Sequence, residues 1–168
     1  MKPVVSIIMG STSDLPIMEK AAAFLDSIRV PFEMNALSAH RTPSEVEEFA
    51  KGAAGRGIKV VIAAAGMAAA LPGVIAANSS LPVIGVPIKG MLDGLDSMLS
   101  IIQMPSGIPV AAVGVNGALN AAILAAQILA LSDLELAGRL AEYKEGLKEK
   151  IVEANNDLAQ IKYSFKTN

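Results

Sequence analysis

Four short apolar runs constrain the fold of this chain more than any other feature of its sequence. Each spans six residues, and Ser6 is the one clearly polar side chain among them: 4–9, 60–65, 83–88 and 110–115. A strand with one face in water alternates apolar and polar residues, whereas a strand buried on both faces is apolar throughout. Segments with helical spacing separate the runs. The pattern predicts an α/β chain whose parallel sheet is covered by helices on both faces.

Apolar spacing and Gly, Pro, Ser and Asp positions set the expected element boundaries. The predicted strands are 4–9, 32–37, 60–65, 83–88 and 110–115. The predicted helices are 15–28, 44–54, 68–78, 92–102 and 119–131. Because crossovers between parallel strands are right-handed, these elements predict a doubly wound three-layer αβα sandwich with a central sheet of about five strands.

The C-terminal region 134–168 differs from the rest because it is rich in Glu and Lys. Its apolar residues recur at helical spacings and predict a long amphipathic helix: Leu134, Leu136, Leu140, Tyr143, Leu147, Ile151 and Ala154. This helical tail either folds back on its own domain or packs on neighbouring subunits. The 168 residues suit one domain, so we expect a single domain over 1–168.

The chain has two long uncharged stretches, 60–88 and 97–132, which have to be tested as candidate membrane spans. By length alone each could span a membrane. Glycine and proline interrupt both, and broken backbone is very costly in lipid, so we expect no membrane span. The chain is 52% hydrophobic and 18% charged, which predicts that other subunits cover part of its apolar surface.

Charge and cysteine content exclude several functions. The net charge is −2, with 14 basic and 16 acidic residues and no basic stripe, so no nucleic-acid partner is expected. The absence of cysteine excludes a thiol nucleophile, a disulfide and a Cys/His zinc site. Residues 1–3 lead directly into a predicted strand, without the apolar segment of a secretion signal. We expect a cytoplasmic protein.

His40 is the only histidine, and it lies in the run Ser38–Pro43 between a predicted strand and a predicted helix. Histidine exchanges protons near neutral pH, since its ordinary pKa is about 6.5. In α/β folds ligands bind outside the carboxyl ends of the strands, where this loop would lie. His40 is therefore the candidate acid/base. Arg41 is either an anion ligand or one half of a surface salt bridge.

Two other strand-to-helix loops supply candidate ligands. In the loop 10–14, helix N-terminal amides with Ser11 and Ser13 suit a phosphate, and Asp14 suits ribose hydroxyls. The same residues are common helix caps, and from this loop alone capping is the more frequent role. The small residues of 65–73 allow close approach of a flat ligand, or only tight packing. We expect 94–97 and 103–107 at the same general edge.

Seven segments occur together in one order: 10–14, 38–43, 68–73, 85–87, 94–97, 103–105 and 122–129. In this joint pattern the chain resembles the PurE family over nearly its whole length, in particular its N5-carboxyaminoimidazole ribonucleotide mutases. The resemblance implies a flavodoxin-like fold, a homo-octamer, and no metal or organic cofactor. It also implies an isomerase of purine biosynthesis that converts the small nucleotide N5-carboxyaminoimidazole ribonucleotide (N5-CAIR) to 4-carboxy-5-aminoimidazole ribonucleotide (CAIR).

The resemblance assigns proton transfer to His40 and contacts with the phosphoribosyl group to Ser11, Asp14 and Arg41. No residue is expected to bind a metal. Together with the loop residues, the full candidate substrate-binding set is Ser11, Ser13, Asp14, Ser38, Arg41, Gly66, Ala69, Ala70 and Leu71.

The chain departs from the family pattern at two positions. Many relatives have a second histidine where this chain has Ala70, and Met67 stands where glycine is common. The class that carboxylates aminoimidazole ribonucleotide directly with carbon dioxide also differs in this loop, so it is the alternative. A non-catalytic nucleotide-binding module and a related enzyme with another carboxylation substrate also remain open. The segments 94–97 and 103–105 favour the mutase.

Overall fold

A computed structural model of the chain describes all residues from 1 to 168. Its strands are β1 (Val5–Met9), β2 (Phe32–Ala36), β3 (Val60–Gly66), β4 (Val83–Ile88) and β5 (Ala111–Ala112). Its helices are α1 (Leu15–Ser27), α2 (Pro43–Arg56), α3 (Leu71–Asn78), α4 (Leu95–Ile102), α5 (Ala118–Ala130) and α6 (Leu134–Gln160). None of these helices is both long enough and apolar enough to cross a membrane.

The five strands form one parallel sheet in the order β2-β1-β3-β4-β5. Successive residues of β1 enter different cores. Ile7 packs in a cluster with α1 and α5, while Ile8 packs in a second cluster with α2 and α3. Both side chains are fully buried, which is why this strand is apolar at consecutive positions. The predicted flavodoxin-like αβα sandwich is confirmed.

Ser6 is the polar exception in β1, and the structure gives its buried hydroxyl a partner. The hydroxyl donates to Glu33 Oε1 at 3.0 Å on the neighbouring strand β2. Arg56 at the end of α2 donates to the same oxygen at 3.0 Å. A buried hydroxyl without an acceptor is costly, so Glu33 makes Ser6 compatible with the core.

Two helices begin three residues later than predicted, and backbone conformation explains both differences. Met67 (φ 56°) and Ala69 (φ 41°) are left-handed and cannot belong to a right-handed helix, so α3 starts after them. Asp93 (φ 54°) and Gly94 (φ 91°) delay the start of α4 in the same way.

Strand β5 corrects the prediction of a six-residue buried strand over 110–115. Only Ala111 and Ala112 pair with β4, and both are exposed. As an edge strand β5 has one neighbour, and Pro109 and Gly114 flank it closely. The run 110–115 is only partly buried within this chain, because Val110 and Val113 pack against the two cores while Ala111 and Ala112 are exposed.

The first part of the C-terminal helix α6 is packed against the domain, and its second part is exposed. Leu136 in the first turn of α6 is 2% exposed, and Tyr143 packs its ring edge-on against Phe24, with centroids 4.9 Å apart. From residue 147 to 160 every residue is exposed, including Ile151 at 65%. The helix ends at Gln160, short of the predicted 168. Its first part packs on α1 and α5, and its second part extends beyond the domain.

Gly85 in the middle of β4 should tolerate no side chain. A Cβ there would lie 2.5 Å from Ile101 Cγ2, a buried side chain that cannot move away freely. We expect Gly85→Ala to lower the free energy of unfolding by about 1–3 kcal/mol through overpacking.

Gly55→Ala is the matched control, because open space surrounds Gly55 on α2. It should be neutral or stabilise by up to about 1 kcal/mol through helix propensity. Urea unfolding of both variants measures the difference, and equal effects would show that the α4–sheet contact is looser than described.

Candidate functional site

All ten predicted site residues line one cavity of about 550 Å³ beyond the carboxyl ends of β1, β2 and β3. Five further residues complete its lining: Gly10, Ala39, Ala65, Met67 and Ala68. These five lie between or beside the predicted ones in the same loops, so their positions in the sequence could have indicated them. Cavities of 550 and 700 Å³ occur elsewhere, so residue chemistry, and not volume, distinguishes this one.

Arg41 connects two of the loops. Its Nη2 donates to the carbonyl of Gly10 at 2.7 Å, across from the end of β1. Its Nε and its backbone N–H both donate to Ser38 Oγ at 3.3 Å. The side chain has no carboxylate partner within ion-pair distance, so the predicted alternative of a surface salt bridge is wrong. The guanidinium charge stays available to an anion in the cavity.

Thr42 holds the loop that carries His40. Its hydroxyl accepts from the Ser38 N–H at 2.8 Å and donates to the Ser38 carbonyl at 3.1 Å. Pro43 then begins α2 with its backbone φ already suited to a helix. His40 lies between these fixed points, and its exposed imidazole lines the cavity.

The structure separates capping from other roles in the loop 10–14. Ser11 Oγ accepts from the Ser13 N–H at 3.3 Å and caps a 3₁₀ turn over Thr12–Asp14. Asp14 precedes α1 but makes no capping hydrogen bond. Its carboxylate accepts from Ser13 Oγ at 3.2 Å instead. Ser11 thus has the predicted capping role, whereas Asp14 does not.

Asp14 is held partly out of water. Burial raises the pKa of its carboxyl above the ordinary value of 3.8, and the Ser13 hydrogen bond and the Arg41 charge offset part of this effect. A half-buried carboxylate with one weak protein donor has unused acceptor capacity. Sugar hydroxyls are donors of the kind that would fill it.

The cavity has two chemically different sides. Loops 10–14 and 38–41 contribute hydroxyls, a carboxylate, an imidazole and a guanidinium. The segment 65–71 contributes only glycine and apolar side chains. The arrangement can bind a charged, hydroxylated group on one side and a neutral apolar one on the other, and the imidazole in the same cavity can move protons.

The other loops expected at this edge do not line the cavity. The segment 94–97 begins α4 at the end of β4, outside the cavity. The prediction that 103–107 lies at this edge of the sheet is wrong for Gly107. This residue lies beside residues 76–82, which lead into the start of β4. No three His, Asp or Glu side chains converge as metal ligands anywhere in the structure.

Asp14→Asn should stabilise the fold near neutral pH, by less than about 1 kcal/mol because the half-exposed carboxylate is partly screened. The raised pKa means that Asp14 destabilises the fold only when ionised. The gain should vanish as the pH falls below 3.8, where wild-type Asp14 is protonated. Urea unfolding of both proteins across this range measures it. A gain that persists in acid would contradict the burial effect.

Comparison with known proteins identifies the family of this chain. The AIR carboxylase family model matches residues 4–150. The chain is 52% identical over 162 residues to the N5-carboxyaminoimidazole ribonucleotide mutase of Thermotoga maritima, covering 96% of this chain and 95% of that protein. It is 50% identical over 160 residues to the phosphoribosylaminoimidazole carboxylase of Schizosaccharomyces pombe, covering 95% of this chain and 29% of that protein.

The solved structure of a PurE protein from Treponema denticola has the same fold, with a TM-score of 0.84 and 35% sequence identity. The alignment covers 93% of this chain and 98% of that chain. These matches extend over the whole α/β domain and its cavity loops. The chain belongs to the AIR carboxylase family.

Proposed function

We propose that this chain is an isomerase of purine biosynthesis that converts N5-CAIR to CAIR. One observation carries the proposal: a single cavity brings the only imidazole of the chain together with a carboxylate, a guanidinium and an apolar side. Relatives named N5-carboxyaminoimidazole ribonucleotide mutase, 52–53% identical over nearly the full chain, support it.

Substrate binding uses the polar side. The Arg41 guanidinium and the Ser11 hydroxyl bind the phosphate, while the Ser13 amide and hydroxyl donate to Ser11 and Asp14. Asp14 accepts hydrogen bonds from the ribose hydroxyls. Ser38 keeps Arg41 in place through its two 3.3 Å contacts, so the charge is oriented before the substrate arrives.

The apolar side receives the carboxyl group as it becomes neutral. When the carbamate nitrogen of N5-CAIR is protonated, its C–N bond breaks and releases carbon dioxide with aminoimidazole ribonucleotide. The electron-rich C4 then attacks the carbon dioxide. Gly66, Ala69 and Ala70 leave room for a small neutral molecule next to backbone amides. Holding carbon dioxide beside C4 raises its effective concentration at the reacting carbon.

His40 performs both proton transfers. As imidazolium it donates a proton to the carbamate nitrogen, and as imidazole it later accepts the proton from C4, which restores the aromatic ring. The enzyme ends in its starting protonation state, so no metal, ATP or organic cofactor is consumed. General acid/base catalysis of this kind contributes about 10²–10⁴-fold.

A second candidate function is direct carboxylation of aminoimidazole ribonucleotide by carbon dioxide. The identity to the Schizosaccharomyces pombe carboxylase favours it specifically. Both reactions share carbon–carbon bond formation at C4 and proton removal by His40, so the same cavity serves either. They differ in whether carbon dioxide comes from a bound carbamate or from solution. A binding module without turnover would leave His40 without a role.

CAIR should form from N5-CAIR in the presence of a chelator and without ATP. His40→Asn should lower kcat at least about 10²-fold while substrate binding persists, because Ser11, Asp14 and Arg41 remain. Absorbance assays of CAIR and calorimetry with substrate measure the two quantities.

Arg41→Ala is the contrasting variant, since it should chiefly raise the substrate dissociation constant by removing a charged ligand. Activity only with aminoimidazole ribonucleotide and bicarbonate would favour the carboxylase. Substrate binding without turnover in the wild type would favour the binding module, and full activity of His40→Asn would remove His40 from the mechanism.

We also propose that the chain assembles as a homo-octamer in the cytoplasm, with the second part of α6 packing on a neighbouring subunit. Exposed apolar side chains support it. On α6 and beyond these include Ile151 (65%), Val152 (54%) and Phe165 (96%). A second group surrounds the start of α4: Met91, Leu92, Leu95 and Leu99. So much apolar surface in one small chain is typical of subunit contacts.

Ile151→Glu should weaken this assembly, because a charge would enter an apolar contact. Lys150→Glu introduces the same group at the adjacent exposed position and should leave assembly intact. Light scattering should give eight times the chain mass for the wild type and the control, and a smaller mass for Ile151→Glu at micromolar concentration. A monomeric wild type would refute the proposed assembly.

A further inference from the structure

We propose that Met67 closes the apolar side of the cavity and retains carbon dioxide between its release and its recapture. The inference rests on the proposed mutase function and assigns to one side chain the task of limiting escape. It concerns a residue that takes no part in proton transfer or phosphate binding.

Met67 occupies the wall of the cavity that faces β4. The cavity is formed by the loops after β1, β2 and β3, and its remaining flank lies toward the loop after β4. Met67 extends into that flank, since its Cγ lies 3.9 Å from the position of a Cβ on Gly90. The side chain of Met67 therefore lies beside the loop that follows β4.

The backbone fixes this direction at an energetic cost. Met67 has φ 56°, a left-handed conformation that costs a non-glycine residue about 1–2 kcal/mol. The turn is closed by a hydrogen bond from the Ala69 N–H to the Gly66 carbonyl at 3.0 Å, and Ala69 is left-handed as well. Strain of this kind persists where the surrounding structure imposes it, and it clusters at functional sites.

Exposure is the second unusual property of Met67. Its side chain is apolar and unbranched, yet it is 64% exposed at the rim of the cavity. The residues that follow it in the cavity lining are Ala68, Ala69 and Ala70, whose methyl groups fill little space. Met67 is thus the largest flexible apolar group on this side, and its adaptable thioether chain can cover a small neutral molecule.

The neutrality of carbon dioxide determines how the cavity can retain it. Carbon dioxide carries no charge for Arg41 or Asp14 to hold, so only enclosure keeps it near C4. Escape to solvent competes with carbon–carbon bond formation, and the product yield from N5-CAIR depends on the ratio of the two rates. Met67 lowers the escape rate without changing either proton transfer.

Isotope partitioning tests this role. N5-CAIR with a ¹³C-labelled carboxylate is converted in unlabelled bicarbonate buffer containing carbonic anhydrase, and mass spectrometry measures the label that remains in CAIR. The wild type should retain most of the label. Met67→Gly should raise the ratio of lost to retained label about fivefold, a modest change in relative barrier heights.

Met67→Leu is the matched control, because it keeps an apolar side chain of similar volume and should retain label as the wild type does. The melting temperature of Met67→Gly should not fall, since glycine relieves the strain at φ 56°. Equal retention by Met67→Gly and the wild type would overturn the inference while leaving the mutase function intact. Complete label exchange in the wild type would overturn it too, whereas no conversion of N5-CAIR would defeat the proposed function itself.

Discussion

The position of β1 between β2 and β3 is the constraint on which the site depends. The chain leaves β1 through α1 on one face of the sheet and leaves β3 through α3 on the other face. The loops that follow β1 and β3 consequently diverge, and a crevice opens at the carboxyl ends of the strands. The His40 loop enters this crevice from β2. Three loops distant in sequence thereby form one cavity.

Several residues in that crevice have conformations or surroundings that lower the stability of the fold. Asp14 is partly desolvated, Met67 and Ala69 adopt left-handed backbone, and Met67 exposes an apolar side chain. Each feature would be destabilising in isolation. The two cores beneath, built from consecutive apolar residues of the central strands, provide the rigid support that keeps these conformations in place. Arg41 adds a direct connection from the His40 loop to Gly10.

Much of the site could be predicted from the sequence because its residues lie in short loops directly after apolar strands. His40 and Arg41 follow β2, and Ser11 and Asp14 follow β1. The backbone conformation of these loops could be predicted less well. Neither Met67 nor Ala69 belongs to a residue type that favours positive φ, so the sequence predicts a start of α3 that is three residues too early. Which hydroxyl caps and which carboxylate stays unpaired also depends on atomic positions that residue type does not specify.

The sequence by itself determined the α/β class, the parallel sheet and the edge at which the chemistry lies, because continuous apolar strands and helical spacing are local properties of the chain. Only the tertiary structure decided the strand order, the contact of Arg41 with Gly10 and the position of Met67 beside the loop at Gly90. It also decided that only Ala111 and Ala112 of 110–115 form a strand and that α6 leaves the domain after Tyr143. These features depend on pairings between residues far apart in the chain, and an apolar residue in a sequence does not identify the surface that will cover it.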